Sequence, residues 1–502
     1  VIPDSADNPI ENPQKFSPAS ERQSSDWDVK NAPKNYISLV FSQGGSVIFA
    51  FASVFLLTRV LGSDGYGSVV AIIAASQVAQ VLVNWTSFSL VRFGVDEFVE
   101  TQKIARTFWV RFAILAVNMV LAILLAKIWY PSYATWLNFL PSTYWLVFAH
   151  FGAMAFWIHI QLSLQGAKMA KVQGFLLMIE RIVILCLLLV SYGLHKLYPM
   201  TAIICYVAAS SSMTLVGLYM LRSYIWTKFT VDFAFFKKII VYSLPLLPFT
   251  LVGYFSSGSI DTVFISIFLS IPDLGVYSVA AQMNGILMQL PTLANSLLIP
   301  LFITLEKENR SSKIKRYFSD VLPTMTLFWS VLCSIAAFVG FYTLQPIFGD
   351  EFSQAIVPFC VLVAAAAVSF PVLVGYSALS HAVSDTYVAM FAAIFSALAN
   401  IFLNFLLIPR YGMLGCAWST VIAYSVSVVC FGALLRRSGK INLSWIAQSL
   451  LPAIGGAVIF TLTGEAYWSL LMCVAIAAIV AYIHHDSLTV AVQFLKNQFE
   501  NR

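Results

Sequence analysis

Glu180, Arg181 and Asp261 stand inside apolar stretches long enough to cross a membrane. An ionised side chain there costs upwards of about 2 kcal/mol unless it meets a partner or water. Groups kept at such a cost are candidates for chemistry, and the chemistry on offer is binding and charge movement. A guanidinium pairs with phosphate or carboxylate oxygens, and a carboxylate takes up a proton or a small cation. Amides extend the set. At about 100° per residue, Gln77, Gln80, Asn84, Trp85, Phe88 and Arg92 share one helical face. A polar stripe ending in a cation suits sugar hydroxyls and a phosphate; it equally suits an interhelical packing face with Arg92 reaching the membrane surface. His150, Trp157, Gln161, Gln165 and Lys168 share a second face, with His159 turned away from it. Both histidines are read as interhelical hydrogen-bonders, and Trp157 either stacks on a sugar ring or packs in the core. Glu180 and Arg181 are adjacent, so they diverge and need not pair with each other: each bonds a different neighbouring helix in a structural network, or Arg181 faces the cavity while Glu180 moderates its charge. Asp261 either titrates during transport or holds a helix hydroxyl or a basic partner. Ser278, Gln282, Gln289 and Ser296, and the pair Asn400 and Asn404, form further stripes of the kind that joins helices. The candidate substrate ligands are therefore Arg92, Arg181, Lys168, Gln77, Gln80, Asn84, Trp157 and Gln161, and the candidates for ion coupling are Glu180 and Asp261.

Bond-making chemistry has no such support. There is no Walker loop, no nucleophile–base pair and no carboxylate dyad, so the sequence does not read as an enzyme and offers no catalytic residue. The seven cysteines all lie in apolar blocks without CxxC or Cys/His spacing, which argues against metal and disulfide frameworks. No cofactor is expected. The sequence does not choose among protons, sodium and the membrane potential as the energy source; an H+ or Na+ gradient is the candidate.

The elements that must position these groups are membrane helices. Only 10% of the 502 residues are charged and the mean hydropathy is +0.82, whereas soluble proteins carry roughly 25% charged residues. The apolar blocks predict an all-α polytopic protein of about fourteen spans, each matched to a hydrocarbon core of roughly 30 Å. They lie near 36–60, 66–92, 107–130, 143–166, 171–193 and 200–222, then 240–270, 275–304, 318–344, 354–380, 386–408 and 412–435, with a final pair at 444–463 and 466–484. Of the 29 basic residues, Arg59, Lys127, Lys196 and Arg410 fall at one set of span ends and Arg181 within a span; the rest gather at the opposite ends or in the tails. The positive-inside rule then places both termini in the cytoplasm and makes those four positions outer ones. Residues 1–35 read as a disordered cytoplasmic tail, 36–225 and 226–438 as two lobes of about six helices each, 439–485 as two added helices, and 486–502 as a second cytoplasmic tail. Trp129, Tyr130, Tyr133, Trp136, Phe139, Tyr144 and Trp145 are expected to form an outer interfacial belt.

A hairpin design recurs. Leu61-Gly-Ser-Asp-Gly-Tyr-Gly-Ser after the first span and Pro272-Asp-Leu-Gly-Val-Tyr-Ser after the seventh lie about 210 residues apart, and Pro409-Arg-Tyr-Gly-Met-Leu-Gly-Cys joins spans eleven and twelve. Together with Arg59-Val-Leu-Gly, Arg92, Gly275-Val-Tyr-Ser-Val-Ala-Ala281 and Asn400-Ile-Phe-Leu-Asn-Phe-Leu-Leu-Ile, these segments resemble the polysaccharide transporter family, which includes O-antigen-type flippases, within the superfamily that also holds multidrug antiporters and lipid II flippases. The lipid II branch is less similar, because spans one and two lack its arginine-rich opening segment. The resemblance implies two lobes around a cavity open to one side at a time, passing an undecaprenyl-pyrophosphate-linked oligosaccharide from the inner to the outer leaflet of a bacterial cytoplasmic membrane. Its partners would be the lipid-linked oligosaccharide, membrane lipids, and a polysaccharide polymerase with its chain-length regulator; no nucleic acid is expected. A multidrug or organic-cation antiporter is the competing reading, but such a site needs acids and the first lobe offers only Glu180. A glycan polymerase would need long outer loops, and these are short.

Overall fold

The computed structural model describes residues 18–136, 143–226, 232–244, 259–307, 311–382, 386–435 and 443–500. Those residues are helical throughout, with short turns. The helices are α1 (Pro18–Asn84), α2 (Ser87–Thr101), α3 (Ala105–Trp136), α4 (Thr143–Gly166), α5 (Ala170–Gly193), α6 (Pro199–Ile225), α7 (Phe233–Ser243), α8 (Ser259–Phe268), α9 (Ile271–Lys307), α10 (Ser311–Arg316), α11 (Leu322–Phe348), α12 (Ile356–Pro371), α13 (Ser377–Ala382), α14 (Thr386–Leu435), α15 (Leu443–Thr463), α16 (Ala466–Ile483) and α17 (His485–Glu500).

Ten helical segments among the described residues are long and apolar enough to cross a membrane. Two of them, Ser42–Asn84 and Tyr387–Leu435, run 43 and 49 residues. At 1.5 Å per residue each would reach about 65 Å or more, twice a hydrocarbon core, so each must hold two crossings. Gly62 (φ 66°) and Gly412 (φ 59°) break them, in a region of φ that a side chain disfavours. The recurring turn after spans one and eleven is thus a glycine break. The turn after span seven is built differently: Ser270 and Asp273 cap α9 reciprocally, with the Ser270 N–H 3.1 Å from Asp273 Oδ2 and the Asp273 N–H 3.3 Å from Ser270 Oγ. Part of the expected seventh span, residues 245–258, lies outside the described residues, so the count of fourteen and the central cavity stay expectations. The same holds for residues 1–17 of the expected tail, whereas α1 already starts at Pro18. At the other end, the expected C-terminal tail is helical as α17, which packs on residues 317–348.

Helices α1–α6 pack on one another, α8–α14 on one another, and α1 against α9 forms a seam between the two groups. Helix α7 departs from the expected boundary at residue 226 by packing on α2 and α3 of the first lobe. Asp232 caps it by accepting the Phe235 N–H at 2.8 Å, a bond that, with Arg106 as ion-pair partner, holds the Asp232 carboxyl below the usual carboxylate range. The Arg106 guanidinium also lies over the Phe235 ring at 4.3 Å. The centre of the second lobe is α12, buried from Pro358 to Pro371; its Ala364–Ala367 run lets neighbouring helices approach closely. The periphery is the reverse of a soluble protein: Val117, Val120, Leu121, Leu124 and Ile128 on α3 and Phe402 and Phe405 on α14 are exposed, as lipid contact requires. Within the expected aromatic belt, Trp145 is exposed but Tyr130 is buried, bonded to Thr143 Oγ1 at 2.8 Å.

The two lobes lock together at the Gly62 end. Arg59 donates to the carbonyls of Pro346 and Ile347 in the last turn of α11, where a cation meets the negative end of the helix dipole. Glu351 accepts the Ser63 N–H at 2.7 Å, and Phe51 meets Phe348 and Tyr66 meets Phe352 edge to face. Between them the backbones touch: a Cβ on Gly67 would overlap the Ile271 carbonyl, and one on Gly275 would overlap the Ser63 carbonyl. A Gly275→Val substitution is therefore expected to spread this end and raise the labelling of a Ser63→Cys reporter by impermeant maleimide severalfold, while Gly285→Val, whose site is open, leaves labelling unchanged. Equal labelling in both would contradict the lock.

Candidate functional site

Buried polar groups in α1–α6 collect on facing helices at two levels. Near mid-span, Glu180 on α5 is buried and accepts the Ser210 hydroxyl of α6 at 2.6 Å. His150 on α4 bonds the Ser76 hydroxyl of α1 at 2.6 Å. Arg181 follows Glu180 about 16 Å along α5 from its start. It is half-exposed, interacts electrostatically with His150 and Tyr206, and has no carboxylate partner among the described residues. The pair Glu180 and Arg181 thus diverges to different neighbours.

Closer to the opposite end from Gly62, span two is broken. Its helix stops at Asn84, Trp85 and Thr86 form a turn, and α2 restarts at Ser87. The break parts the expected stripe. Gln77, Gln80 and Asn84 remain together on α1, half-exposed; Gln80 Nε2 donates to the Phe151 carbonyl at 2.7 Å and Asn84 Nδ2 to Gln80 Oε1 at 2.7 Å. Arg92 lies beyond the break with 58% of its side chain exposed, paired with Asp96 at 2.7 Å, and so does not continue the stripe. Lys168 is likewise displaced from the α4 face: α4 ends at Gly166, and Lys168 sits in a left-handed turn (φ 56°), exposed. Trp157 is fully buried among Phe108, Ile160 and Leu176, so here it packs rather than lining a path. Gln161 is half-buried on the same helix.

One residue at the break was not singled out from the sequence. Arg111, about 9 Å into α3, is fully buried and donates to His159 Nδ1 at 2.8 Å, Asn84 Oδ1 at 3.2 Å and Ser87 Oγ at 3.0 Å. Its signal was available: it stands inside the apolar block of span three, while its charge was counted with the basic span ends.

The second lobe holds the other ion-coupling candidate. Asp261 on α8 is buried and accepts three hydrogen bonds, from Asn404 Nδ2 (2.8 Å) and Thr420 Oγ1 (2.7 Å) on α14 and from Tyr277 OH (3.2 Å) on α9. Asn400 Oδ1 accepts from Asn404 Nδ2 at 3.1 Å, and Ser419 donates to Asn404 Oδ1. Of the expected alternatives, hydroxyls and amides hold the carboxylate, and no basic partner does so among the described residues. One amide N–H and two hydroxyls thus donate to the carboxylate and satisfy it within the protein. The glycine break at Gly412 lies two helical turns from Thr420, so the same hairpin that folds α14 back brings Asn400 and Asn404 opposite Ser419 and Thr420.

Comparison with known proteins bears on this arrangement. Residues 32–306 match the family described as polysaccharide biosynthesis protein. The probable low-salt glycan biosynthesis flippase Agl15 of Haloferax volcanii is 26% identical over 213 residues, covering 40% of this chain and 44% of that relative, so the chain matches less than half of the relative's length. Among solved structures, the lipid II flippase MurJ in an inward closed conformation aligns with a TM-score of 0.68 at 13% identity, over 90% of this chain and 99% of that one. The Vibrio cholerae MATE transporter VcmN, as its D35N mutant, aligns at 0.54 and 14% identity, over 84% and 99%. At such identities the likeness is one of fold. The expected distance from lipid II flippases does not extend to the fold, since the score against MurJ exceeds that against VcmN.

Replacing Asp261 by Ala takes the acceptor from the buried Tyr277 hydroxyl and from one Asn404 amide hydrogen, at about 1–3 kcal/mol for each one orphaned, while Thr420 keeps the Cys416 carbonyl. It is expected to lower the thermal midpoint of the detergent-purified protein clearly more than Glu180→Gln, which keeps an acceptor for Ser210. Equal midpoints would show that the Asp261 cluster does not hold the second lobe together.

Proposed function

Because this chain belongs to the polysaccharide biosynthesis protein family, we propose that it is a flippase moving a lipid-linked oligosaccharide across the membrane. The observation that carries this reading is Arg181: a half-exposed guanidinium near mid-span, with no carboxylate partner among the described residues, calls for an anionic ligand. A glycan joined to an undecaprenyl-pyrophosphate carrier has that charge, and the half-exposed amides Gln77, Gln80, Asn84 and Gln161 suit its hydroxyls. The partial match to a glycan biosynthesis flippase points the same way. An organic-cation antiporter shares the fold class but would meet the wrong charge at Arg181.

The cargo moves by alternating access. The lock at the Gly62 end is the outer closure in the orientation set by the Lys/Arg distribution, with both termini cytoplasmic in a bacterial inner membrane. Parting it means breaking the Arg59 and Glu351 bonds between lobes, while the other end closes. Asp261 supplies the coupling step by binding H+ or Na+, and a polymerase with its chain-length regulator takes the product at the outer leaflet.

In cells lacking the gene, Arg181→Ala is expected to restore surface glycan at least about tenfold less well than wild type at equal protein abundance, the scale of losing a buried charged contact. Arg92→Ala, already paired with Asp96, is expected to restore it near normally. Full display with Arg181→Ala would remove the guanidinium from the substrate path. Asp261→Asn is expected to abolish the dependence of transport on external Na+ or pH, whichever the wild type shows; an unaltered dependence would move the coupling site elsewhere.

A further inference from the structure

Arg111 is a buried cation whose hydrogen-bond partners among the described residues are all neutral, and its bonds run into the amide stripe of span two. We propose that Arg111 is a positioning residue that fixes the Asn84 and Gln80 amides so that both offer N–H donors to the substrate path, selecting for acceptor-rich ligands: phosphate, carboxylate, ether or acetyl oxygens. This rests on the flippase reading only in taking that face as the substrate's.

The direction of the relay follows from its ends. A guanidinium only donates, so Asn84 turns Oδ1 towards Arg111 Nη2, at 3.2 Å. The Ser87 hydroxyl donates to the same oxygen at 3.3 Å, which saturates it. Asn84 Nδ2 must then face away from Arg111, and it donates to Gln80 Oε1 at 2.7 Å. With its oxygen engaged, Gln80 turns Nε2 to the Phe151 carbonyl at 2.7 Å, a group that only accepts. A donor-only group at one end and an acceptor-only group at the other leave a single orientation for both amides. Flipping either would set donor against donor or acceptor against acceptor.

The anchor is itself held. His159 Nδ1 accepts from Arg111 Nη1 at 2.8 Å, and the Phe108 ring lies against the imidazole with centroids 4.6 Å apart. Each amide nitrogen carries two hydrogens and spends one inside the relay. The second on each remains for a ligand, and both residues are half-exposed while Arg111 and His159 are buried. The face therefore shows donors, with a fixed positive charge behind them. Without Arg111 the relay is held from the Phe151 end alone: Asn84 turns over on giving up one bond, to Gln80 Oε1, where in the intact relay it would also set its N–H against the guanidinium, so the face offers acceptors more readily.

Arg111 and Gln80 are linked through Asn84, which gives a test that plain packing does not mimic. The thermal midpoint of the purified protein is measured for Arg111→Leu, Gln80→Leu and the double variant, then for the same set in an Asn84→Leu background. The relay predicts non-additive shifts with Asn84 present and additive shifts without it. Additivity in both backgrounds would overturn the proposal. Repeating the cycle with Arg111→Gln keeps the test in place if the leucine variant fails to fold. In proteoliposomes, with a fluorescent short-chain polyprenyl-diphosphate sugar as probe, Arg111→Leu is expected to raise the half-saturating concentration about tenfold with little change in turnover. Arg111→Lys, still a donor, is expected to recover most of that loss. Reduced turnover at unchanged half-saturation in Arg111→Leu would also overturn the proposal. A wild type inert towards the probe would count against the flippase reading, and the stability cycle would still decide the relay.

Discussion

Inside a hydrocarbon layer every polar group must find a partner within the protein, and the rest of this structure depends on that constraint. The backbone meets it by being helical in the spanning segments. The side chains meet it by pairing across helices: Asp261 with hydroxyls and amides from α9 and α14, Glu180 with Ser210, His150 with Ser76, Arg111 with His159, Asn84 and Ser87. These pairings fix which helices are neighbours more sharply than apolar packing does, since lipid competes equally for apolar faces. Arg181 meets no carboxylate among the described residues, which is why the proposed substrate contact is placed there.

The embedded charges differ between the lobes. Among the described residues embedded in the spanning helices, α1–α6 hold two guanidiniums without an ion pair, Arg111 and Arg181, against one carboxylate, Glu180, whereas α8–α14 hold the Asp261 carboxylate. An anionic cargo and a cationic coupling ion would then be held by different lobes, and the seam of α1 against α9 lies between them. Movement of one lobe against the other is how two such sites influence each other without sharing a ligand. The lock at the Gly62 end fits this scheme because it joins the lobes by backbone contact, a few polar bonds and two aromatic pairs gathered at one end.

Much of this was legible in the sequence, for physical reasons. Spans such as 143–166 and 171–193 match α4 and α5 within a residue because hydrocarbon thickness fixes helix length. Gly62 and Gly412 announced their turns because a positive φ is cheap for glycine. What stayed hidden depends on local departures from helical periodicity. The stop at Trp85–Thr86 carries no glycine or proline, so extending one helical face from Gln77 to Arg92 ran through a break. Lys168 was placed on α4 by the same extrapolation, two residues past the helix end. Arg111 was read as one more basic residue at a span end, because charge counting does not record depth, and Glu351 gave no signal until the fold brought it to Ser63. Partners far apart in the chain are set by topology, and only the structure supplies that.

Leaflet exchange by the wild-type protein is the most direct test of the central claim that the chain moves anionic lipid-linked glycans. Vesicles holding the purified protein and a fluorescent polyprenyl-diphosphate sugar are treated with an impermeant quencher, beside protein-free vesicles and a parallel set loaded with a lipophilic cationic dye. The account predicts that the protein renders the inner-leaflet pool of the glycolipid accessible and leaves the cationic dye unmoved. Glycolipid exchange no faster than in protein-free vesicles, together with protein-dependent movement of the dye, would contradict it.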